Sequence, residues 1–508
     1  MSLKELLHSR AMEAPNRPYL FFGDDVYTYS QLDERAERIA NGLIKAGIKK
    51  GDKVALLLHN CSEFIFSFFG VPTAGATIVP INALLKPPEI KFIIGFSDSR
   101  AIITSSKFVP VIEQLKSELP KIELFYVIDG EPAKGWRSFS ELLNAPAGNP
   151  NVLLNDYEDV ASIIFTSGTT GSPKGVMLTH HNYLMNSEQA CRAMKDTPDD
   201  RFCIFLPAYH VNTQIAGILG PMQGGASLAL LEKFSPIQFL EALEKYQATS
   251  FSGVPTVYAI LLQVPEAEKY NLSRLRACVC GAAPMPVEVF KKFEEKFHAF
   301  ILEGYGLTEA TCVSTLNPLD GPRKIGSIGI ALEGQEIKIV DDNLNELPRG
   351  KIGEIAIKGE IVMKGYYKNP EATTSTIKDG WLLTGDLGYE DEEGYFYIIG
   401  RKKELIIRGG VNIYPKDVEE VVYKYQGVAE AAVVGMPDVI WGEEVYAFIV
   451  PAKGAKLTEE EIINYCKKNL ADFKCPRKVI FKDAFPKTAT GKIQKHVIVD
   501  EYMKEKKG

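Results

Sequence analysis

Short apolar runs alternate with amphipathic segments along the first three hundred residues of the chain. The runs are bounded by Gly, Pro or Asn and lack period-two alternation, which is typical of strands buried on both faces of a parallel sheet. In the segment 236–246, Phe239, Leu240 and Leu243 recur at helical spacing. We predict strands at Val54–Leu58, Thr77–Ile81, Ala101–Thr104, Leu124–Ile128, Ala161–Thr166, Ser227–Leu231 and Ala277–Cys280, and helices at Pro236–Tyr246 and Val287–Phe297. This part of the chain therefore predicts an α/β fold.

The pattern changes after Leu316, where turn residues recur every ten or so positions and predict short antiparallel strands. The segment Asp391–Arg401 reads as a hairpin, because an acidic Gly turn precedes an aromatic strand. Further on, we predict helices at Lys416–Tyr425 and Thr458–Asn469, the first of them opened by a proline. We therefore place an N-terminal domain at 1–400, a hinge at 401–403 and a C-terminal domain at 404–508.

Composition and charge exclude several classes of protein. A chain of 508 residues that is 45% hydrophobic and 24% charged is globular and long enough for more than one domain. The formal net charge of −7 argues against a nucleic-acid partner. The apolar stretch from Phe64 to Ile81 is interrupted by Pro72, so a buried helix followed by a strand is favoured over a membrane span. With no signal peptide, we expect a cytoplasmic protein, monomeric or homodimeric, without an integral membrane segment.

The scattered cysteines predict neither a zinc site nor a disulfide framework. There is no Cys-x-x-Cys pair in the sequence. Cys278 and Cys280 lie one residue apart within an apolar run, where we expect buried strand residues. The chain is therefore expected to work in a reducing compartment.

The most informative stretch is Phe165–Gly175, which reads FTSGTTGSPKG and follows a predicted strand. Its glycines allow a backbone that presents N–H groups to an oxyanion, and its hydroxyls and lysine add further donors. No Gly-x-x-x-x-Gly-Lys-Ser/Thr pattern occurs, so this is not a Walker A loop. A flexible Ser/Thr/Gly loop would have a similar composition, but the position after a strand and the Lys-Gly ending favour a polyphosphate-binding loop.

This string resembles the signature loop of the adenylate-forming superfamily, which includes acyl-CoA synthetases, peptide-synthetase adenylation domains and firefly-type luciferases. Further matches follow in the same order along the chain: Gly281-Ala282-Ala283-Pro284, Glu303-Gly304-Tyr305-Gly306-Leu307-Thr308-Glu309, Thr384-Gly385-Asp386, Gly400-Arg401-Lys402-Lys403-Glu404, Arg408-Gly409-Gly410 and Pro486-Lys487-Thr488-Ala489-Thr490-Gly491-Lys492. The resemblance covers essentially the whole chain and is closest to bacterial and archaeal medium- and long-chain fatty-acid–CoA ligases. It implies a large N-terminal domain of stacked, mostly parallel sheets with helices and a small β-barrel-like part, and a small mobile α+β C-terminal domain.

The resemblance also implies a nucleotide site. The residues that would bind ATP or AMP are Thr166, Ser167, Gly168, Thr169, Thr170, Gly171, Lys174, Gly281, Ala282, Ala283, Glu303, Gly304, Tyr305, Gly306, Asp386 and Arg401. Tyr305 would stack on adenine, and Asp386 would accept hydrogen bonds from the ribose hydroxyls. Thr308 would donate to the α-phosphate, and Glu309 would hold Mg²⁺, which suits one carboxylate together with phosphate oxygens.

For the acid and the thiol, the resemblance implies three further groups. Tyr209, His210 and Asn212 would border the acyl pocket, with His210 as a gating or positioning residue. Arg408, Gly409 and Gly410 would line the path of coenzyme A, and Lys403 would be the hinge. Lys492 would be the catalytic lysine, bridging the carboxylate and the α-phosphate. ATP, Mg²⁺ and coenzyme A are then required, without a tightly bound organic cofactor.

The sequence favours an AMP-forming acid–CoA ligase, in which acid, ATP and CoA give acyl-CoA, AMP and diphosphate through an acyl-adenylate. A fatty acid is the expected substrate. The polar run Asn212–Gln214 departs from an apolar acyl lining and keeps coumarate- or crotonobetaine-like ligases open. A CoA-independent adenylating enzyme and a phosphotransferase stay open as well, whereas the presence of Lys174, Glu309, Asp386 and Lys492 together argues against a non-catalytic homologue.

Overall fold

A computed structural model describes residues 1–148, 156–166, 173–283, 285–487 and 493–506. Its internal contacts divide the chain into unit 1, which comprises Met1–Glu336 and Ile357–Leu382, and unit 2, which comprises Ile337–Ala356 and Leu383–Gly508. Each unit has a hydrophobic core of its own. The domain limits and the hinge at 401–403 that the sequence suggests stay predictions.

Unit 1 is built on two large sheets. Its strands are β1 (Pro18–Phe22), β2 (Asp25–Thr28), β3 (Lys53–Leu57), β4 (Thr77–Pro80), β5 (Ser99–Thr104), β6 (Leu124–Val127), β7 (Arg137–Ser138), β8 (Val160–Thr166), β9 (Lys174–Thr179), β10 (Arg201–Ile204), β11 (Ser227–Leu230), β12 (Ser250–Gly253), β13 (Ala277–Cys280), β14 (Phe300–Tyr305), β15 (Thr315–Leu316), β16 (Ile330–Ala331), β19 (Gly365–Tyr366) and β20 (Ile377–Lys378). The sequence-predicted strands are present, with ends shifted by no more than two residues.

Both sheets are mainly parallel, as the unbroken apolar runs predict. One has nine strands in the order β16-β15-β14-β13-β12-β10-β11-β1-β2, parallel from β14 to β1. The other has eight strands in the order β19-β9-β8-β4-β3-β5-β6-β7, parallel from β8 to β7. The expected α/β class is confirmed.

Helices cover these sheets. They are α1 (Leu3–Glu13), α2 (Tyr29–Lys45), α3 (Ser62–Thr73), α4 (Pro87–Ser97), α5 (Val109–Leu115), α6 (Ser140–Leu143), α7 (His180–Met194), α8 (Gly220–Gln223), α9 (Pro236–Lys245), α10 (Pro255–Leu262), α11 (Val287–Phe297) and α12 (Pro370–Thr376). Capping boxes begin α1, α2 and α7, with Ser2, Thr28 and Thr179 as N-caps, so local sequence sets where these helices start.

The apolar stretch from Phe64 to Ile81 contains most of α3 followed by β4, as predicted. Helix α3 is buried along its length, and it packs closely against α2. A Cβ added at Gly70 would lie 2.7 Å from the Ile39 side chain and 3.2 Å from the Ala36 carbonyl oxygen. The two helices therefore approach each other at a point that only glycine fits. Among the described residues, no helix is long and apolar enough to cross a membrane.

Unit 2 contains two smaller sheets. Its strands are β22 (Phe396–Arg401), β23 (Ile406–Arg408), β24 (Val411–Ile413), β25 (Val428–Asp438), β26 (Gly442–Pro451) and β27 (Lys478–Phe481), together with most of β17 (Glu336–Val340), β18 (Gly353–Lys358) and β21 (Trp381–Glu390), and its helices are α13 (Pro415–Tyr423), α14 (Glu459–Asn469) and α15 (Lys495–Glu505). Strands β17, β18, β21 and β22 share one sheet. The second sheet runs β24-β23-β26-β25, with β27 parallel to β26.

All eight cysteines carry free thiols. Cys278 and Cys280 lie on β13 and are buried, as expected. Burial raises the pKa to about 11 at Cys191 and to about 12 at Cys312 and Cys466. Burial also raises the pKa of the remaining thiols, at Cys61, Cys203, Cys278, Cys280 and Cys475.

The close approach at Gly70 gives a stability prediction. Gly70→Ala inserts a methyl group where backbone and Ile39 leave no room, so we expect the free energy of unfolding to fall by about 1–3 kcal/mol. Gly95→Ala, in the last turn of α4, is the matched control, because its Cβ would meet only Leu119 at 3.8 Å. That variant should be neutral or stabilised by up to about 1 kcal/mol. Denaturant unfolding measures both, and equal effects would contradict the packing argument.

Candidate active site

The two segments predicted to enclose adenine lie side by side. Parallel strands β13 and β14 pair Cys280 with Glu303, so the residues that follow each strand emerge at the same sheet edge. A Cβ at Gly281 would lie 3.4 Å from the Gly304 carbonyl oxygen. Ala282 and Ala283 are exposed, and Ala282 has a φ of +69°, a left-handed conformation that costs a residue with a Cβ about 1–2 kcal/mol. The structure thus brings both predicted walls together.

The glycines of the second segment have a packing reason of their own. A Cβ at Gly306 would lie 1.5 Å from the Cys312 carbonyl oxygen, and one at Gly304 would lie 2.9 Å from Leu316. The buried Glu303 carboxylate accepts a hydrogen bond from the Gly326 N–H at 2.8 Å. Local packing and hydrogen bonding thus account for the glycines at 304 and 306 and for the carboxylate at 303. Their contact with a nucleotide stays a prediction.

The predicted phosphate loop connects two antiparallel strands. Thr166 ends β8 and Lys174 begins β9, and these two residues pair directly across the hairpin. The predicted binding residues Ser167, Gly168, Thr169, Thr170 and Gly171 lie outside the described residues. The hairpin fixes both ends of the loop and places Lys174 at its base.

Lys174 and Glu309 both contact Tyr366, a residue that the sequence did not single out. The Tyr366 hydroxyl donates to Glu309 Oε1 at 2.9 Å, and Lys174 Nζ lies 4.8 Å from the centroid of the Tyr366 ring. Burial and the neighbouring Glu309 raise the pKa of Tyr366, so the phenol stays protonated and remains a donor. The string Gly365-Tyr366-Tyr367 was visible in the sequence, but no spacing linked it to Glu309.

Two asparagine side chains of α7 bind the backbone of the segments that flank Glu309 and Tyr366. Asn182 Nδ2 donates to the carbonyl oxygens of Glu360 and Val362 at 2.7 and 3.1 Å. Asn186 exchanges two hydrogen bonds with the Val313 backbone, at 2.7 and 2.9 Å. Since α7 directly follows β9, the phosphate hairpin and the segments around Glu309 and Tyr366 share one support.

The predicted acyl-site segment is held by hydrogen bonds to the backbone of Ala208. The buried Asn60 side chain accepts from the Ala208 N–H at 2.8 Å and donates to the carbonyl oxygens of Leu206 and Leu231, both at 3.0 Å. Gln214 Nε2 donates to the Ala208 carbonyl at 2.9 Å. Both backbone groups of Ala208 are therefore bound to buried amides, and the two residues that follow are held in a fixed position.

Tyr209 and His210 each carry a buried polar atom without a hydrogen-bond partner among the described residues, the Tyr209 hydroxyl and His210 Nε2. Their rings lie 4.5 Å apart. Burial lowers the pKa of His210 to about 4, so its ring is neutral at pH 7. An uncharged ring suits the predicted gating or positioning role.

Part of the polar run Asn212–Gln214 forms hydrogen bonds inside the protein. Asn212 is partly exposed and precedes a π-helical segment, Thr213–Leu219. Thr213 donates to the Leu206 carbonyl at 3.1 Å, and Gln214 binds Ala208 and the buried Tyr183 hydroxyl. The polarity of Thr213 and Gln214 therefore serves hydrogen bonds within unit 1.

Within unit 2, Asp386 and Arg401 form an ion pair. They face each other across β21 and β22, with Arg401 Nε 2.8 Å from Asp386 Oδ1. The Asp386 side chain is buried, and Arg401 is half-buried. The structure thus brings together the two residues that the sequence assigns to the ribose and its surroundings. Lys403 is exposed.

The predicted CoA segment lies at the turn between β23 and β24. Arg408 pairs with Glu444, and its guanidinium lies 4.4 Å from the centroid of the Trp441 ring. Gly409 and Gly410 have φ values of +56° and +82°, which a turn of this kind requires. Lys492, the predicted catalytic lysine, lies outside the described residues.

The residues around Glu309 fit the predicted Mg²⁺. The Glu309 side chain is partly exposed, and one of its oxygens accepts a hydrogen bond from the Tyr366 hydroxyl. A single carboxylate of this kind is how proteins usually bind Mg²⁺ together with nucleotide phosphates.

The chain is similar to known enzymes over nearly its whole length. Residues 7–367 match the AMP-binding enzyme family, and residues 417–492 match the AMP-binding enzyme C-terminal domain. A long-chain-fatty-acid–CoA ligase of Bacillus subtilis (strain 168) is 36% identical, covering 98% of this chain and 94% of its own. An oxalate–CoA ligase of Arabidopsis thaliana is also 36% identical, covering 99% of both chains. The solved anthranilate CoA ligase AuaEII, in complex with anthranoyl-AMP, superposes with a TM-score of 0.91 at 30% identity, over 99% of this chain and 97% of that one.

The chain belongs to the AMP-binding enzyme family, and the resemblance to adenylate-forming enzymes is confirmed. The fold expected from that resemblance is confirmed as well. The protein is an AMP-forming acid–thiol ligase, with a carboxylic acid, ATP and coenzyme A as its substrates.

The buried His210 gives a pH prediction. Its folded pKa of about 4 lies below the unfolded value near 6.5, so protonation favours the unfolded chain. The stability that the neutral ring contributes is full above pH 6.5 and is lost as the pH falls towards 4. Compared with His210→Leu, the free energy of unfolding of the parent should fall by up to about 1.4 kcal/mol for each pH unit in this window. Parallel curves for the two proteins in denaturant unfolding would contradict the buried neutral ring.

Proposed function

We propose that the ligase activates a fatty acid through the cluster of Lys174, Tyr366 and Glu309. This cluster is the observation that carries the proposal, because it combines a cation beside the phosphate hairpin with a carboxylate suited to Mg²⁺. The fatty-acid–CoA ligase relative supports the choice of acid. In the first step, a carboxylate oxygen attacks the α-phosphorus of ATP and diphosphate leaves. In the second, the CoA thiol attacks the acyl carbonyl carbon and AMP leaves.

Each residue has a defined part in the proposal. Thr166–Gly171 and Lys174 bind the β- and γ-phosphates, and Thr308 donates to the α-phosphate. Glu309 holds Mg²⁺, which neutralises phosphate charge. Lys492 brings a positive charge to the two anions that must meet in the first step and stabilises the charge that develops there.

Further residues serve the nucleotide and the thiol. Tyr305 stacks on adenine against Gly281–Ala283, and Asp386 exchanges part of its contact with Arg401 for the ribose hydroxyls. Arg408–Gly410 line the path of coenzyme A, and rotation occurs about Lys403. We also propose a cytoplasmic location and a monomeric or homodimeric state.

An aryl or small polar acid is the second candidate. The Tyr209 hydroxyl and His210 Nε2 have no hydrogen-bond partner in the described part of the chain and favour it, since a polar acyl group offers them partners. The oxalate–CoA and anthranilate–CoA ligases add support from related chains.

Acid-dependent exchange of diphosphate into ATP tests the function. The panel comprises fatty acids from two to eighteen carbons, aryl acids, oxalate, betaines and amino acids. We expect exchange with fatty acids, and AMP as the product when coenzyme A is also supplied. A preference for aryl or polar acids selects the second candidate. The proposal is overturned if the folded protein binds ATP but catalyses exchange with none of the acids.

Lys492→Ala tests the proposed catalytic lysine. Losing one preorganised charge at a transition state costs about 10²–10³ in rate, so acyl-adenylate formation should slow by that factor. Supplied with pre-formed acyl-AMP and CoA, the variant should make thioester at a near-normal rate. Lys487→Ala is the control, because Lys487 belongs to the same segment and pairs with Glu430 at 2.7 Å near the surface. Equal loss in both half-reactions contradicts the role.

Tyr366→Phe tests the cluster. The ring that faces Lys174 is kept, and only the hydrogen bond to Glu309 is lost, which is worth about 1.5–3 kcal/mol when the acceptor is charged. We expect adenylation at limiting MgATP to slow by at least about tenfold. Tyr367→Phe is the matched control, since its hydroxyl contacts Asp98 at 3.3 Å instead. The same rate in both variants would mean that the Tyr366 hydroxyl has no part in adenylation.

A further inference from the structure

Both ends of the segment that carries Lys492 are fixed. Lys487 and Ile493 form an antiparallel β-bridge, and the Gln494 N–H donates to the Pro486 carbonyl at 2.9 Å. These backbone contacts join Pro486–Lys487 to Ile493–Gln494 and form a stem, and residues 488–492 lie outside the described residues. The contacts that hold this stem in unit 2 are therefore of interest for Lys492.

Lys495 lies three residues beyond Lys492 and is the first residue of α15. Its ammonium lies 2.7 Å from Glu419 Oε1 and 3.5 Å from Glu404 Oε2. Only 19% of the Lys495 side chain is exposed, and 17% of Glu419. Burial lowers the pKa of Lys495, but the two carboxylates outweigh it and the pKa is raised, so Lys495 is charged.

The carboxylates belong to two other parts of unit 2. Glu419 lies on α13 and also accepts from the Val433 N–H of β25 at 2.7 Å. Glu404 ends the short helix Lys402–Glu404 and directly follows Lys403. One ammonium therefore joins the stem of the Lys492 segment to the core of the unit and to the residues after the predicted hinge.

The stability of α15 does not explain a lysine at this position. A cation in the first turn of a helix is disfavoured by the helix dipole, and α15 has no acidic residue in its first turn and no side-chain cap. Apolar side chains of similar volume often replace a buried ion pair at no cost in stability. An ion pair does, however, restrict where its charged groups can lie.

We propose that Lys495, Glu404 and Glu419 form a positioning triad for Lys492. The triad holds the end of the Lys492 segment against α13 and against the chain that follows Lys403. Lys492 and the residues after the predicted hinge then move as one body. Lys495 is a positioning residue, since it acts through Lys492, and the proposal rests on the role proposed above for Lys492.

Lys495→Met in the full chain tests the triad, because methionine keeps the length and removes the charge. We expect acyl-adenylate formation to slow by about 10- to 100-fold. Thioester formation from pre-formed acyl-AMP and CoA should stay within about threefold of the parent. Lys495→Arg keeps a cation and should recover part of the rate. Lys487→Met, which removes the exposed ion pair on the other side of the stem, should change neither half-reaction.

Two further variants separate positioning from stability. Glu404→Gln weakens the triad at its more exposed member and should reproduce the selective loss if Lys495→Met fails to fold. In the double variant Lys492→Ala/Lys495→Met, adenylation should be no slower than in Lys492→Ala alone, because Lys495 acts through Lys492.

The outcomes distinguish this inference from the proposed function. Slow adenylation in Lys492→Ala with a normal rate in both Lys495→Met and Glu404→Gln overturns the triad alone. Equal loss of both half-reactions in folded Lys495→Met overturns it as well, and so do additive effects in the double variant. A normal rate in Lys492→Ala overturns the role of Lys492, and the triad with it.

Discussion

Parallel pairing in the two large sheets is the constraint on which the candidate site depends. Strands that run in the same direction deliver the residues after each strand to one edge, and ligands of open α/β sheets bind at that edge. Ala208 and Gly281 follow β10 and β13 of the nine-stranded sheet, and Tyr305 ends β14 of the same sheet. Asn60 follows β3 of the eight-stranded sheet and is linked to Ala208 by a hydrogen bond.

Buried amides then convert this coarse placement into fixed positions. Asn60 and Gln214 bind the backbone on both sides of Ala208, and Asn182 and Asn186 bind the segments that flank the Glu309–Tyr366 contact. A side-chain amide offers both a donor and an acceptor without a charge, so it can satisfy two backbone groups in a dry interior. Loops that lack regular structure of their own are held in this way at little electrostatic cost.

The local elements could be predicted from sequence, whereas contacts between distant residues could not. Strand β13 and helix α11 have the predicted ends, because apolar runs and helical spacing depend on neighbours in the chain. Asn60 and Tyr366 were missed, since they act on residues 148 and 57 positions away. The run Asn212–Gln214 kept polar acids open, and the structure shows in addition that Thr213 and Gln214 form hydrogen bonds within unit 1. Composition reveals that a polar group is present, but only the fold shows which partner it has.

The burial of the cysteines has a consequence for the chemistry of an acyl-adenylate. Such a mixed anhydride acylates any thiolate within reach, and the protein makes it while holding eight thiols of its own. Because burial raises the pKa of every one of them, the chain offers almost no thiolate at neutral pH. The thiols of the protein are thereby kept from competing with the thiol of coenzyme A for the acyl group.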